Sequence, residues 1–122
     1  MVTAVTNLGR SGLYDWLIQR LSAVAITAYV FFLVAYLLIN PDLDFAQWRT
    51  LFDQLWMRVF SLITLLSIIA HAWIGLWAVL TDYITHQTIG GRATAVRVFV
   101  QVVLGVVAIT YLVWGVQIIW GL

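Results

Sequence analysis

The sequence has 122 residues, of which 64% are hydrophobic and 9% charged, with a formal net charge of +1 and no cysteine. That composition excludes a soluble catalytic domain, and the missing thiols exclude disulfides, thiolate-bound iron–sulfur clusters and zinc–thiolate sites. A near-neutral charge without a basic stripe leaves no footprint for nucleic acid, so no nucleic-acid partner is expected.

Three apolar runs, residues 21–39, 59–81 and 98–122, account for the bias. Each reaches the roughly 20 residues that cross a hydrocarbon core as a helix. A single chain of this length is too short to close a barrel, so an all-α integral membrane fold with three transmembrane helices is expected. Residues 1–122 then form one membrane-anchor domain. No internal repeat or linker divides them.

Before the first run stand Arg10, Asp15 and Arg20. The run that follows exceeds the apolar stretch of a cleaved signal, so it is expected to stay as a start-transfer anchor. Residues 12–20, GLYDWLIQR, read as a short interfacial lead-in with Trp16 at headgroup depth. Asn40-Pro41-Asp42 ends the first helix, because a residue preceding proline avoids the helical region. Phe45, Trp48, Phe52, Leu55 and Trp56 then recur at three- and four-residue spacing over residues 44–56. This amphipathic pattern suits a segment lying along the outer interface.

The second run, VFSLITLLSIIAHAWIGLWAVLT, holds His71 and no formally charged side chain, and Asp82-Tyr83 follows it directly. As a helix it spans roughly 35 Å. An imidazole at that depth is costly unless paired or liganded, which marks it as a functional-site candidate. Thr64, Ser67, His71, Gly75, Ala78 and Asp82 alternate at steps of three and four, forming a small, polar stripe on one face. Trp73 and Trp77 point elsewhere. Such a stripe suits close approach by a neighbouring helix or a flat ligand. Gly90-Gly91 breaks the chain before the third run.

Arginine asymmetry sets the topology. Arg10, Arg20, Arg92 and Arg97 flank one side, against Arg49 and Arg58 on the other. The positive-inside rule therefore predicts a cytoplasmic N-terminus and a periplasmic C-terminus, with Asp82 and Tyr83 emerging at the cytoplasmic face.

At this point His71 has two open readings, an interhelical hydrogen bond and a haem ligand, with a proton relay behind them because no carboxylate lies within the run. Bis-histidine ligation needs a second imidazole across the iron. The other histidine of the chain, His86, would lie roughly 22 Å away along a continued helix. It reads as an exposed loop residue. If His71 binds haem, a second chain supplies the opposite ligand. Tyr83 reads either as a belt tyrosine or as a hydrogen-bond donor to a quinone carbonyl, with Asp82 orienting it or delivering protons. Arg20 reads either as a snorkelling arginine or as the partner of a haem propionate.

The string SIIAHAWIGLWAVLTDY (residues 67–83) resembles the second helix of the hydrophobic membrane anchor of bacterial succinate dehydrogenase, the enterobacterial type. NLGRSGLYDWLIQR (residues 7–20) is similar to that family's N-terminal segment, and the length and three helices agree. The resemblance implies a non-catalytic anchor in the bacterial inner membrane, with no catalytic residue of its own. Its implied partners are a second membrane-anchor cytochrome b subunit, an iron–sulfur subunit and a flavoprotein subunit, with the lipid bilayer around it. It further implies one haem b shared between the two anchors and ubiquinone as electron acceptor. His71 would then be a haem axial ligand on the iron, Arg20 the propionate partner, Tyr83 the ubiquinone donor and Asp82 its neighbour. Tyr14 stands where the enterobacterial pattern has a histidine, and the connection after Tyr83 is longer. The competing expectations are a holin-like three-helix membrane protein and a haem-free fumarate reductase anchor, neither of which needs a liganding histidine.

Overall fold

The computed structural model describes residues 12–121, apart from the side chain of His86. Arg10, the first part of the N-terminal segment and Leu122 lie outside the described residues. Helix α1 runs Gly12–Ile39 without a break. The lead-in expected at residues 12–20 is therefore the first part of the spanning helix, since nothing between Leu13 and Ile39 is a glycine or proline. Asn40 closes α1 by giving both its backbone N–H (3.1 Å) and its side-chain Nδ2 (2.9 Å) to the Tyr36 carbonyl. Leu43 N–H then donates back to the Asn40 carbonyl at 3.2 Å, a turn with Pro41 at its second position.

Helix α2, Phe45–Asp53, starts from a reciprocal cap. Asp44 Oδ1 accepts from Gln47 N–H at 2.8 Å, and Gln47 Oε1 accepts from Asp44 N–H at 3.2 Å. The amphipathic stretch does not continue to Trp56 as one helix. Gln54 is extended (φ −71°, ψ 136°), and Leu55 and Trp56 already belong to helix α3, Leu55–Tyr83. Arg58 holds this elbow: its Nε donates to the Phe52 carbonyl at 3.2 Å, and its Nη2 lies 3.6 Å from Asp53 Oδ1. Aromatic contacts fasten α2 to α1 and α1 to α3, with Trp48 4.9 Å from Phe52 and 6.5 Å from Tyr36 between ring centres, and Phe32 5.7 Å from Trp56.

After Tyr83 comes a one-turn helix α4, His86–Ile89, then a 3₁₀ turn, Gly90–Arg92, and helix α5, Ala93–Trp120. Gly90 sits at φ +74°, the left-handed region where a side chain is strained, which explains why this break needs glycine. Helices α1, α3 and α4 through α5 supply three stretches long and apolar enough to cross a membrane.

α3 is the central helix, packed against α1 on one side and α5 on the other. The contacts fix both neighbours as antiparallel to it. Tyr29 O–H meets Ser61 Oγ at 2.7 Å while Ser22 meets His71, so rising numbers on α1 pair with falling numbers on α3. Across the other seam, a Cβ on Gly105 would lie 3.9 Å from Trp73, and one on Gly115 would lie 2.6 Å from Leu65 Cδ2. Glycine at these positions lets α5 approach α3 closely. Few apolar side chains are shielded: among the described residues Leu51, Met57, Ile74, Leu80 and Ala93 are buried.

Candidate functional site around His71

His71 lies sixteen residues into α3 and twelve from its end, or about 24 Å and 18 Å along the axis. Its ring is half-buried against α1. The Nδ1 atom is 3.1 Å from Ser22 Oγ, and that oxygen is 3.0 Å from the Gln19 carbonyl. Ser22 is 4% exposed, so water has little access to this pair. A hydroxyl has one proton to give. Serine in a helix habitually donates it to a carbonyl one turn back, which here is that of Gln19. With that proton committed, the Ser22 oxygen is free to accept from Nδ1–H, an arrangement that would put the imidazole lone pair on Nε2. Nε2 has no hydrogen-bond partner among the described residues.

The stripe expected on α3 is met by α1 along its inner part. Thr64 is buried, with its hydroxyl donating to the Phe60 carbonyl at 2.9 Å. One turn from His71, a Cβ on Gly75 would lie 3.6 Å from Gln19 Nε2, so the missing side chain is the space into which the Gln19 amide reaches. The Gln19 Oε1 atom is buried and unpartnered. Ala78 and Asp82, the last two members, are exposed. Trp73 faces α5 at Gly105, away from α1.

Asp82 and Tyr83 close α3, both exposed, with Tyr83 at 68%. At 100° per residue Asp82 returns to within about 20° of the His71 face, whereas Tyr83 stands about 120° around it. Neither touches His71. The backbone beneath them is held from three directions. Ile84 N–H donates to the Leu80 carbonyl at 3.0 Å, Thr88 Oγ1 donates to the Tyr83 carbonyl at 2.8 Å, and Arg97 Nε donates to the Ile84 carbonyl at 2.7 Å. The Arg97 cation thus sits at the negative end of the α3 dipole.

Arg20 is exposed, its guanidinium carbon 5.4 Å from the centre of the Trp16 ring. Two residues before Ser22, it stands about 3 Å nearer the Asp82–Tyr83 end and about 200° around α1. It shares the depth of His71 but not its face, and it pairs with no carboxylate among the described residues. The cation–π contact holds it with about 0.5–1 kcal/mol, weak enough to yield to an anion. His86 opens α4, so its backbone is helical and not loop.

An open groove of about 660 Å³ lies at the opposite end of the bundle, lined by Tyr29, Trp48, Arg49, Arg58, Ser61 and Gly115 among others. None of His71, Arg20, Asp82 or Tyr83 borders it. Among the described residues no three His, Cys, Asp or Glu side chains converge to hold a bare metal ion. A porphyrin brings four nitrogens of its own and asks a protein chain for an axial ligand. One imidazole with a free Nε2, small neighbours on its stripe and a cation at the same depth fit half of such a site.

Ser22 and Arg97 make two contacts to α3 and its exit that a reading of α3 alone passes over. Both carry a signal in the sequence: Ser22 is a small hydroxyl two residues into an apolar run, and Arg97 follows the glycine break at helix-return distance.

Residues 3–114 match the Succinate dehydrogenase/Fumarate reductase transmembrane subunit family. The chain is similar to the succinate dehydrogenase hydrophobic membrane anchor subunit of Coxiella burnetii, with 33% identity over 116 residues and 95% of each chain covered. It is likewise similar to the anchor subunits of the same name from Rickettsia prowazekii and Rickettsia typhi, each 29% identical over 111 residues and 87% of each chain.

Proposed function

This chain belongs to the succinate dehydrogenase/fumarate reductase transmembrane subunit family, and from that membership we propose that it anchors a succinate:quinone oxidoreductase in the bacterial inner membrane, supplying one haem ligand and part of a ubiquinone site. As a family member with three long apolar helices it is a multi-pass membrane protein. The observation that carries the finer reading is the His71 Nδ1–Ser22 Oγ contact, which turns Nδ1 toward α1 and leaves Nε2 without a partner among the described residues.

In this reading His71 Nε2 is one axial ligand of a b-type haem, and a second membrane-anchor cytochrome b subunit provides the other. When bound, the haem supplies a one-electron couple within the membrane. Arg20, at the depth of His71 and paired with no carboxylate among the described residues, turns from Trp16 to a propionate. Tyr83 donates its phenolic O–H to a carbonyl of ubiquinone at the membrane surface, and Asp82 beside it holds or passes a proton there. A flavoprotein subunit and an iron–sulfur subunit bind on the same face, so that electrons from succinate reach the quinone.

Orientation follows from charge. Arg92 and Arg97 lie at the Tyr83 end and Arg20 in the half of α1 nearer to it, while Arg49 and Arg58 lie at the other end. The Tyr83 end and the N-terminus are therefore cytoplasmic, and the C-terminus periplasmic.

The test is an absorption spectrum of the complex purified through this chain. A dithionite-reduced b-type band is expected, and it should vanish in His71→Ala. A band that survives the substitution removes His71 as ligand. Absence of any band in the wild-type complex would favour a haem-free anchor.

A further inference from the structure

We propose that Ser22 is the positioning residue of the His71 site: its hydroxyl, itself oriented by the Gln19 carbonyl, holds the imidazole as the tautomer with its lone pair on Nε2 and fixes the plane of the ring. The inference rests on the reading of His71 as an iron ligand for its function, but the contact it invokes stands independently of iron.

A neutral imidazole can carry its proton on either nitrogen, and only a bare nitrogen binds a metal. In a free histidine the proton favours Nε2, which is the nitrogen facing away from the backbone and needed for ligation. The chain must therefore reverse the preference, and it does so by offering an acceptor at Nδ1. Two features make Ser22 an acceptor and not a second donor. Its proton is committed to Gln19, 3.0 Å away and one turn back in the same helix, where the carbonyl cannot move without unwinding α1. Its side chain belongs to a residue only 4% exposed, so no bulk water competes for Nδ1–H. The chain Nδ1–H to Ser22 O–H to Gln19 C=O also polarises in one direction, each bond strengthening the next.

The ring plane follows from the same contact. Rotation about the Cβ–Cγ bond breaks the 3.1 Å hydrogen bond, so the imidazole keeps one orientation relative to α1. Partners of this kind commonly change metal affinity ten- to a hundred-fold when removed. Plain helix docking is the competing role, and the structure provides its control. Tyr29 makes another α1–α3 side-chain hydrogen bond, to Ser61 at 2.7 Å, far from His71. Tyr29→Phe removes a docking bond and leaves the imidazole alone.

Two measurements test the inference. The first is ¹⁵N magnetic resonance of the full chain in lipid, without haem, labelled at its two histidines, with His86→Gln assigning the signals. Wild type and Tyr29→Phe should show His71 with its lone pair on Nε2, and Ser22→Ala should move it to Nδ1. The second is the purified complex. Ser22→Ala should retain haem roughly tenfold less tightly under detergent challenge and change the ferric haem electron paramagnetic resonance signal, which reads the angle between the axial rings. Ser22→Thr, which keeps the hydroxyl, should restore both. An unchanged tautomer and an unchanged resonance signal in Ser22→Ala overturn the inference, as does an equal effect of Tyr29→Phe. If His71→Ala keeps its haem band, the ligand reading fails instead, and the tautomer measurement still decides whether Ser22 sets the ring.

Discussion

Arg97 Nε donates to the Ile84 carbonyl at 2.7 Å, joining the first turns of α5 to the residue that follows α3. Ile84 comes directly after Tyr83, so the long connection of α4 and its 3₁₀ turn does not leave the tyrosine on a loose end. The guanidinium fixes the exit of α3 from the far side of that loop.

Arg97→Gln should therefore loosen Tyr83 without touching His71. Loss of a charged hydrogen bond at a partly wet interface costs about 1–2 kcal/mol. The expected outcome is a KM for ubiquinone raised several-fold with an unchanged haem spectrum. A quinone KM equal to wild type would show that Tyr83 keeps its place by other means.

Tyr83→Phe removes one O–H and little else. A single neutral hydrogen bond is worth about 0.5–1.5 kcal/mol, so kcat/KM for ubiquinone should fall about two- to thirteenfold. Succinate oxidation by an artificial dye should stay near wild type, because it bypasses the membrane site. Equal loss in both assays would point to a defect in assembly and not in quinone binding.

Gly75 gives a graded test of the α1–α3 seam. Its absent Cβ would stand 3.6 Å from Gln19 Nε2, an ordinary contact, so Gly75→Ala should be accommodated. Gly75→Leu drives bulk into the amide and pushes α1 outward, an overpacking cost of about 1–3 kcal/mol. Because Ser22 sits one turn further along the same helix as Gln19, the leucine variant should lose haem while the alanine variant keeps it. Haem absorbance per complex reads the difference.

Asp44→Ala removes the reciprocal cap of α2 and should cost about 1 kcal/mol locally. Hydrogen exchange should speed up over the amides of α2 alone. The haem band and quinone kinetics should not move, since α2 lies at the end of the bundle opposite Tyr83. Altered quinone turnover in this variant would contradict the separation of the two ends.

The parts of this fold visible along the chain are those set by local chemistry. Apolar length marks the three spans, Pro41 marks the first stop, and Gly90 marks a turn that takes a positive φ. Helix limits are less visible because hydropathy ends before the helix does. Asp15 and Arg20 bound the apolar run, yet nothing there breaks hydrogen bonding, so both residues lie within α1. The Gln54 elbow has the opposite character: no glycine or proline announces it, and Arg58 from the next helix holds it. At the site, periodicity puts His71, Gly75 and Asp82 on one face. It carries no information on which residue of another helix lies opposite. Ser22 meets His71 only through the register of two antiparallel helices, which long-range packing determines.

The scarcity of shielded apolar side chains has a consequence for the life of the chain in a cell. Among the described residues Leu51, Met57, Ile74, Leu80 and Ala93 are a small interior for three spans, and in α5 Ala93 alone is buried. Lipid satisfies such surfaces but gives them no reason to stay in register. An orphan copy is then an easy target for membrane quality-control proteases, and its steady-state abundance should track that of the neighbouring subunits instead of its own rate of synthesis.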